Sequence, residues 1–235
     1  MESVPLRKTT ADVQVRVNSF VRSVYNWMGA GLALTGLIAY FIASNEAAVQ
    51  FIFGNSMVFF GLIIGELALV FYLSARIQKI QASTATALFL LYSALNGLTL
   101  SFVFIAYTKS SVASTFFICA ATFVACSIYG WVTKRDLTSL GGFMFMGLIG
   151  IIIASVVNMF LRSSGMSMII AYIGVLVFVG LTAYDTQKLK SMALSQPAGM
   201  DAAVVRKGAI IGALALYLDF INLFLMLLRI LGNRE

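Results

Sequence analysis

Residues 215–225 read ALYLDFINLFL, and ten of these eleven positions suit a helix buried in lipid or in a protein core. The exception is Asp219, because an unpaired charge in such surroundings is energetically expensive. The run belongs to a longer apolar stretch, residues 209–231, and a helix needs about 20 apolar residues to cross a bilayer. The stretch therefore predicts a membrane-spanning helix with a carboxylic acid inside it.

The composition of the whole chain agrees with a membrane protein. Of its 235 residues, 60% are hydrophobic and only 11% are charged, whereas a soluble domain has roughly 25% charged residues. Such a chain cannot cover a globular surface with polar groups, so its solvent is lipid. The chain contains no histidine, which excludes metal sites, catalytic triads and pH switches built on that residue.

Six further apolar runs are long enough to cross a membrane, and together they predict an all-α integral membrane protein. The seven predicted spans cover residues 24–43, 56–75, 84–107, 112–132, 141–161, 168–187 and 209–231. Only TKSS, residues 108–111, separates the third span from the fourth, so a single buried hairpin is the alternative there. Residues 1–23 are polar and basic and predict an N-terminal tail, which leaves residues 24–235 as the seven-helix membrane domain.

The positive charges are divided unequally between the two sides of these spans. Counting the tail and alternate loops, 12 lysines and arginines lie on the side of the N-terminus and 4 on the other side. The positive-inside rule then predicts a cytoplasmic N-terminus and an external C-terminus. The net charge of +7 is loop charge facing an anionic membrane surface, and nucleic-acid binding is not expected.

Three of the nine acidic residues lie away from the tails and mid-loop positions: Glu66, Asp185 and Asp219. An acid inside a span is by default functional and needs a partner. If the last two spans pack side by side, Asp185 and Asp219 lie at similar depth on the cytoplasmic side. Two carboxylates in contact cannot both be ionised cheaply, so the sequence predicts a shared proton whose titration belongs to the pair.

Bases at the ends of the spans offer alternative partners for these acids. Asp185 could pair with Lys188 or Lys190 at the interface, whereas Asp219 has no base within two helical turns. Arg76, at the end of the second span, could reach the two aspartates or extend to the lipid headgroups. Both alternatives stay open at the level of sequence.

Asparagines also occur inside the predicted spans. Asn96, Asn158 and Asn222 lie in the third, fifth and seventh spans, and Asn222 shares a helix face with Asp219 because it follows at a spacing of three. Such residues can satisfy a buried acid or line a wet path, and interhelical hydrogen bonding explains each of them equally well.

Several segments resemble the Bax inhibitor-1 family, also called the transmembrane BAX inhibitor motif family. The signature regions are GLTAYDTQKLK at residues 180–190 and ALYLDFINLFLMLLRILGNR at residues 215–234. The similarity extends to YSALNGLTLS at residues 92–101 and TKRDL at residues 133–137. The sequence is most similar to bacterial inner-membrane members.

The resemblance implies a seven-helix bundle in which the last helix is central, and a pH-sensitive calcium leak without a cofactor. It implies that Asp185 and Asp219 form the pH sensor and touch Ca²⁺ weakly and transiently. An arginine late in the second span would latch the pair, and Arg76 is the candidate, with Lys79 as competitor. Glu66 resembles a pore acid of the family, and we expect Asn96 and Asn222 to line the same ion path.

Three functions therefore compete at the level of sequence, and the expected partners are the lipid bilayer, Ca²⁺ and protons. The first is a passive Ca²⁺ leak. The second is regulation of a membrane-bound ATP-dependent protease through the tail of residues 1–23, as the resemblance implies for some bacterial relatives. The third is a proton-coupled transporter. An enzyme is not expected, because the sequences around the aspartates, AYDT and YLDF, lack the GxGD motif of intramembrane aspartyl proteases.

Overall fold

The computed structural model describes residues 10–197 and 199–234, and within them the chain forms nine α-helices and no strand beyond an isolated bridge between Tyr107 and Arg234. The helices are α1 (Thr10–Ala43), α2 (Glu46–Phe53), α3 (Ser56–Arg76), α4 (Ala82–Leu100), α5 (Val103–Ala106), α6 (Lys109–Val132), α7 (Thr138–Leu161), α8 (Ser164–Ser195) and α9 (Ala202–Leu231).

Seven stretches of the described chain are long and apolar enough to cross a membrane, which confirms the predicted fold class. Six are single helices, α1, α3, α6, α7, α8 and α9, and the third span combines α4 and α5. Large apolar side chains cover the outside of the bundle; Met57 is 84% exposed and Phe160 is 77% exposed. A lipid bilayer covers such a surface, and water would not.

The last helix, α9, forms the centre of the bundle. It packs against α1, α4, α6 and α8, while α3 packs mainly against α4 and α7 against α8. Leu216, Tyr217 and Leu223 of α9 are completely buried. The polar residues Asp219 and Asn222 favour this position, because ionisable and polar side chains inside a span face the interior of a helix bundle and not lipid.

Three helices extend well beyond the apolar runs that predicted them, by about seven residues or more at one end. The helix α1 begins at Thr10 instead of residue 24, so much of the predicted tail is helical, and residues 1–9 lie outside the described residues. The helix α8 continues to Ser195, and α9 already begins at Ala202. Hydropathy marks the part of a helix that lies in lipid, whereas the helical hydrogen bonds continue into polar sequence.

The third span is interrupted near the end that leads to α6. At the break, the Ser101 hydroxyl donates a hydrogen bond of 2.6 Å to the carbonyl oxygen of Leu98, and the short helix α5 follows. Thr108 then caps α6 by accepting a hydrogen bond from the Ser111 amide. Each of the two spans is long and apolar enough to cross a membrane by itself, which favours two crossings joined by a tight turn over one buried hairpin.

Candidate functional site

The structure brings Asp185 of α8 and Asp219 of α9 together, and we call these two residues the aspartate pair. Their carboxyl groups lie within hydrogen-bonding distance of each other. Asp219 is only 5% exposed, and no N–H or O–H group of the described residues reaches its buried Oδ2 atom. Because two ionised carboxylates cannot hydrogen-bond, the pair is joined only when one carboxyl group carries a proton that it donates to the other.

Lys188 lies one helical turn after Asp185, and its positive charge acts on the carboxyl group of Asp185. Lys190 is engaged elsewhere, because its ammonium group donates to the Trp131 carbonyl oxygen at 2.6 Å and lies over the Trp131 ring. Asp185 thus has both partners that the sequence offered, an acid and a base. The pair is therefore asymmetric, with Asp219 buried and Asp185 half-buried beside a cation.

Arg76 is exposed at the end of α3. Its charge is not among those that act on Asp185 or Asp219. Lys79 is also exposed, in the turn that follows α3. The structure therefore does not bring either base to the pair in this conformation, and a latching role for Arg76 stays a prediction.

The aspartate pair is a poor cage for a metal ion by itself. Ca²⁺ takes six to eight oxygen ligands, and two carboxyl groups supply four. Among the residues that the structure describes, no group of three or more Cys, Asp or Glu side chains lies close enough to hold a metal. The weak, transient contact with Ca²⁺ that the resemblance implies for this pair stays a prediction.

A second polar cluster surrounds Glu66, and we call Glu66, Tyr92, Asn96 and Thr99 the Glu66 cluster. The Glu66 carboxylate accepts hydrogen bonds from the Thr99 hydroxyl at 2.9 Å and from the Asn96 amide at 3.3 Å. The Asn96 amide also donates to the Tyr92 hydroxyl at 3.1 Å. The side-chain amide oxygen of Asn96, Oδ1, is buried without a donor among the described residues. The cluster thus joins Glu66 and Asn96, two of the predicted ion-path residues.

A buried hydroxyl network on the central helix, which sequence reasoning missed, packs against this cluster. The Tyr92 and Tyr217 rings pack edge to face with centroids 5.7 Å apart. The Tyr217 hydroxyl lies 2.6 Å from that of Thr35, which donates to the Ser93 carbonyl oxygen at 2.7 Å. The sequence feature that could have indicated this network is Thr35, a hydroxyl residue inside the apolar first span.

Asn158 and Asn222 lie apart from the contacts described above. The Asn222 amide donates to the Leu218 carbonyl oxygen at 2.8 Å, which is a bond within its own helix. Asn158 bonds to the Ser167 hydroxyl at 2.7 Å, and so links α7 to α8. Asn158 thus has the structural role that interhelical hydrogen bonding predicts. The Asn222 amide bonds within α9, one turn beyond Asp219.

Comparison with known proteins identifies the family of the chain. The family model described as "Inhibitor of apoptosis-promoting Bax1" matches residues 17–235. The chain is 52% identical to the inner membrane protein YbhL of Escherichia coli over 235 residues, which cover all of both chains. It is 48% identical to a protein of Borreliella burgdorferi over 218 residues, 93% of each chain. A protein of Deinococcus radiodurans is 44% identical over 220 residues, 94% of this chain and 93% of its own. The chain therefore belongs to the Bax inhibitor-1 family, whose signature its last two spans resemble.

Proposed function

We propose that this protein is a passive cation leak, with Ca²⁺ as the physiological ion, and that the aspartate pair is its pH-responsive gate. The observation that carries the proposal is the contact between the carboxyl groups of Asp185 and Asp219 on neighbouring helices. A shared proton holds α8 and α9 together at this depth. Loss of that proton turns the hydrogen bond into a repulsion and makes the path more negative, which favours cations.

The energy available to this gate is large enough to change a conformational equilibrium. Two like unit charges about 4 Å apart repel by about 4 kcal/mol at an effective dielectric constant near 20. A difference of that size shifts an equilibrium constant by about a thousandfold. Lys188 offsets part of the repulsion because its charge acts on Asp185. The leak therefore increases as pH rises and the shared proton is lost.

The rest of the ion path is built from polar residues around the central helix. Glu66 offers a second carboxylate, and Asn96 offers an amide oxygen that no donor of the described residues occupies. Asn222 stands one turn beyond Asp219 on the same helix. Conduction requires weak binding at several such positions, because an ion must leave each of them again. Asp185 and Asp219 act in this scheme as transient Ca²⁺ ligands.

In this proposal, the protein lies in the bacterial inner membrane. Seven apolar helices support that location, and so does the similarity to YbhL of Escherichia coli, which is named an inner membrane protein. The distribution of basic residues supports a cytoplasmic N-terminus. The aspartate pair then responds to the pH of the cytoplasm, because it lies toward the side of the N-terminus.

The test is Ca²⁺ flux into liposomes that contain the purified protein and an enclosed Ca²⁺-sensitive dye. We expect flux without an energy source, increasing as the pH is raised. Asp219→Asn keeps a donor for Asp185 and imitates the protonated pair, so its flux should stay low and nearly independent of pH. Glu46→Gln, the same chemical change on the exposed first turn of α2, should behave as the unmodified protein. Flux no greater than in protein-free liposomes would falsify the proposal.

A proton-coupled transporter is the second candidate. The acids inside the spans, Glu66, Asp185 and Asp219, favour it, because intramembrane carboxyl groups carry protons in pumps and transporters. In the same liposomes, a transporter would require a proton gradient, and its flux would stop when an ionophore collapses that gradient. A leak would continue as long as a Ca²⁺ gradient exists.

Regulation of a membrane-bound ATP-dependent protease stays a prediction from the family resemblance. Deletion of residues 1–23 distinguishes it from a leak, but the deletion also removes helical residues of α1 that begin at Thr10. Deletion of residues 1–9 alone is therefore the cleaner experiment. A regulator acting through this segment would lose its effect on the protease, whereas the Ca²⁺ flux should persist.

A further inference from the structure

A cleft of about 520 Å³ opens on the side of the bundle that carries the N-terminus, away from both polar clusters. It lies between residues 16–27 of α1, the connection from α8 to α9 and the start of α9. Its polar side chains are those of Arg16, Ser19, Ser23, Gln196 and Arg206, and the Trp27 ring also lines it. The two arginines repel cations, so the cleft does not belong to the proposed ion path.

The α1 wall presents a cation that is incompletely paired. Arg16, Ser23 and Trp27 recur at spacings of seven and four residues, which places them on one face of the helix. The Nη1 atom of Arg16 is buried, and no acceptor among the described residues reaches it. A buried donor of a charged group without an acceptor is costly. A ligand that brings a hydrogen-bond acceptor to this atom would remove that cost.

The α9 wall presents a second guanidinium group. Arg206 lies over the Trp27 ring, with its carbon 5.5 Å from the ring centroid. Stacking uses the face of the guanidinium group and leaves its in-plane N–H groups available for hydrogen bonds. Trp27 thereby fixes Arg206 beside α1, so that both arginines line the same cleft.

The start of α9 adds a weaker positive contribution. Ala202, the first residue of α9, lines the cleft, and a helix N-terminus carries a partial positive charge. The Asp201 carboxylate accepts a hydrogen bond from the Ala203 amide at 2.8 Å and offsets part of that charge. Two arginines against one aspartate leave the cleft cationic, and Phe20 and Val205 give it an apolar floor.

We propose that this cleft binds a phosphate group, carried either by an anionic lipid of the adjacent leaflet or by a soluble phosphate compound. Planar guanidinium groups bind phosphate oxygens in a bidentate manner, and the serine hydroxyls can donate to the remaining oxygens. The apolar floor fits the non-polar part of a ligand. A ligand held by both arginines would tie α1 to the start of the central helix.

The test uses the fluorescence of Trp27, which becomes the only tryptophan of the chain in a Trp131→Phe background. The protein in neutral detergent is titrated with phosphatidylglycerol and, separately, with inorganic phosphate. We expect a saturable change in Trp27 emission with at least one of them. Arg16→Gln should weaken binding by about tenfold or more, because a charge-assisted hydrogen bond of this kind is lost. Arg22→Gln removes the same charge from the same helix outside the cleft lining and should leave the affinity within about twofold.

Native mass spectrometry of the same samples counts the phosphatidylglycerol molecules retained per protein and does not depend on tryptophan. Arg206→Gln is examined by this readout, because the substitution itself changes the surroundings of Trp27. A response to the lipid alone identifies a headgroup site, and a response to inorganic phosphate supports a site for soluble phosphate compounds. No response to either probe overturns the proposal. So does an equal loss of binding in Arg16→Gln and Arg22→Gln, because it would indicate general surface charge.

Discussion

At the scale of single residues, Asp219 is the acidic side chain that is buried among the described residues. It is almost fully buried in the central helix, and a buried ion costs several kcal/mol unless it is paired. The structure provides one acidic neighbour, Asp185, whose own charge is moderated by Lys188. Protonation therefore decides whether this site is a hydrogen bond or a repulsion, and that property makes the pair suitable as a gate.

Glu66 provides the residue-scale prediction that separates the ion path from the gate. Glu66→Gln removes a negative charge but keeps an oxygen that can accept from Thr99 or Asn96, so the fold should be preserved. Losing about 1.4 kcal/mol of attraction lowers the occupancy of a cation site by about tenfold, and we expect a comparable fall in Ca²⁺ flux. The midpoint of the pH dependence should stay unchanged, because the aspartate pair is intact.

Liposome flux at several pH values measures both the size of the Ca²⁺ flux and the midpoint of its pH dependence. Thr108→Val, which alters a helix cap outside the Glu66 cluster, is the control for a local structural change without loss of charge. Unaltered flux in Glu66→Gln would remove Glu66 from the path and leave the gating proposal standing.

At the scale of elements, close packing between helices depends on particular small residues. A Cβ atom added at Gly130 of α6 would meet the backbone carbonyl of Ala183 on α8. The backbones of α6 and α8 therefore approach each other two residues before Asp185. Gly150 of α7, by contrast, has nothing within 4 Å of such a Cβ atom. Both glycines lie inside helices, but only Gly130 is required by packing.

The pair Gly130→Ala and Gly150→Ala tests this difference. Alanine is favoured over glycine in a helix by up to about 1 kcal/mol, so Gly150→Ala should be neutral or stabilising. Gly130→Ala forces two backbones apart, and overpacking of this kind costs about 1–3 kcal/mol. Thermal unfolding in detergent, followed by circular dichroism, compares the two variants. Equal melting temperatures would show that α6 and α8 do not pack this closely in the detergent-solubilised protein.

At the scale of the whole molecule, four helices surround the last one, and the two sides of the membrane differ in charge. The cationic cleft and the aspartate pair both lie toward the side of the N-terminus, whereas the turn from α5 to α6 and the C-terminal residues meet on the other side. There, the Thr108 amide donates to the Asn233 carbonyl oxygen at 3.1 Å. The proposed direction of pH sensing depends on which of these sides faces the cytoplasm.

Cysteine labelling tests that orientation. In a background of Cys119→Ala and Cys126→Ala, the exposed residues Gln81 and Ser110 are replaced singly by cysteine; they lie on opposite sides of the bundle. A membrane-impermeant maleimide applied to spheroplasts should label Ser110→Cys, and Gln81→Cys only after lysis. The background protein must remain unlabelled. The reverse pattern would place the N-terminus outside and the aspartate pair toward the external pH.

The sequence by itself determined the seven crossings, their approximate positions and the need of Asp219 for a partner. Transfer of side chains from water to lipid is nearly additive along the chain, so a run of apolar residues predicts a span without knowledge of its neighbours. It also showed that Asp185 was a candidate partner, because the helix that carries it precedes the last span directly.

Only the tertiary structure decided which polar groups meet. The contact between Asp185 and Asp219, the bonds of Thr99 and Asn96 to Glu66, and the exclusion of Arg76 from the pair all depend on the rotation and vertical register of neighbouring helices. A rotation of one residue, about 100° on a helix with 3.6 residues per turn, would turn a carboxyl group to a different neighbour. Register is set by the close packing of many small and apolar side chains at once, and no local pattern in the chain encodes it.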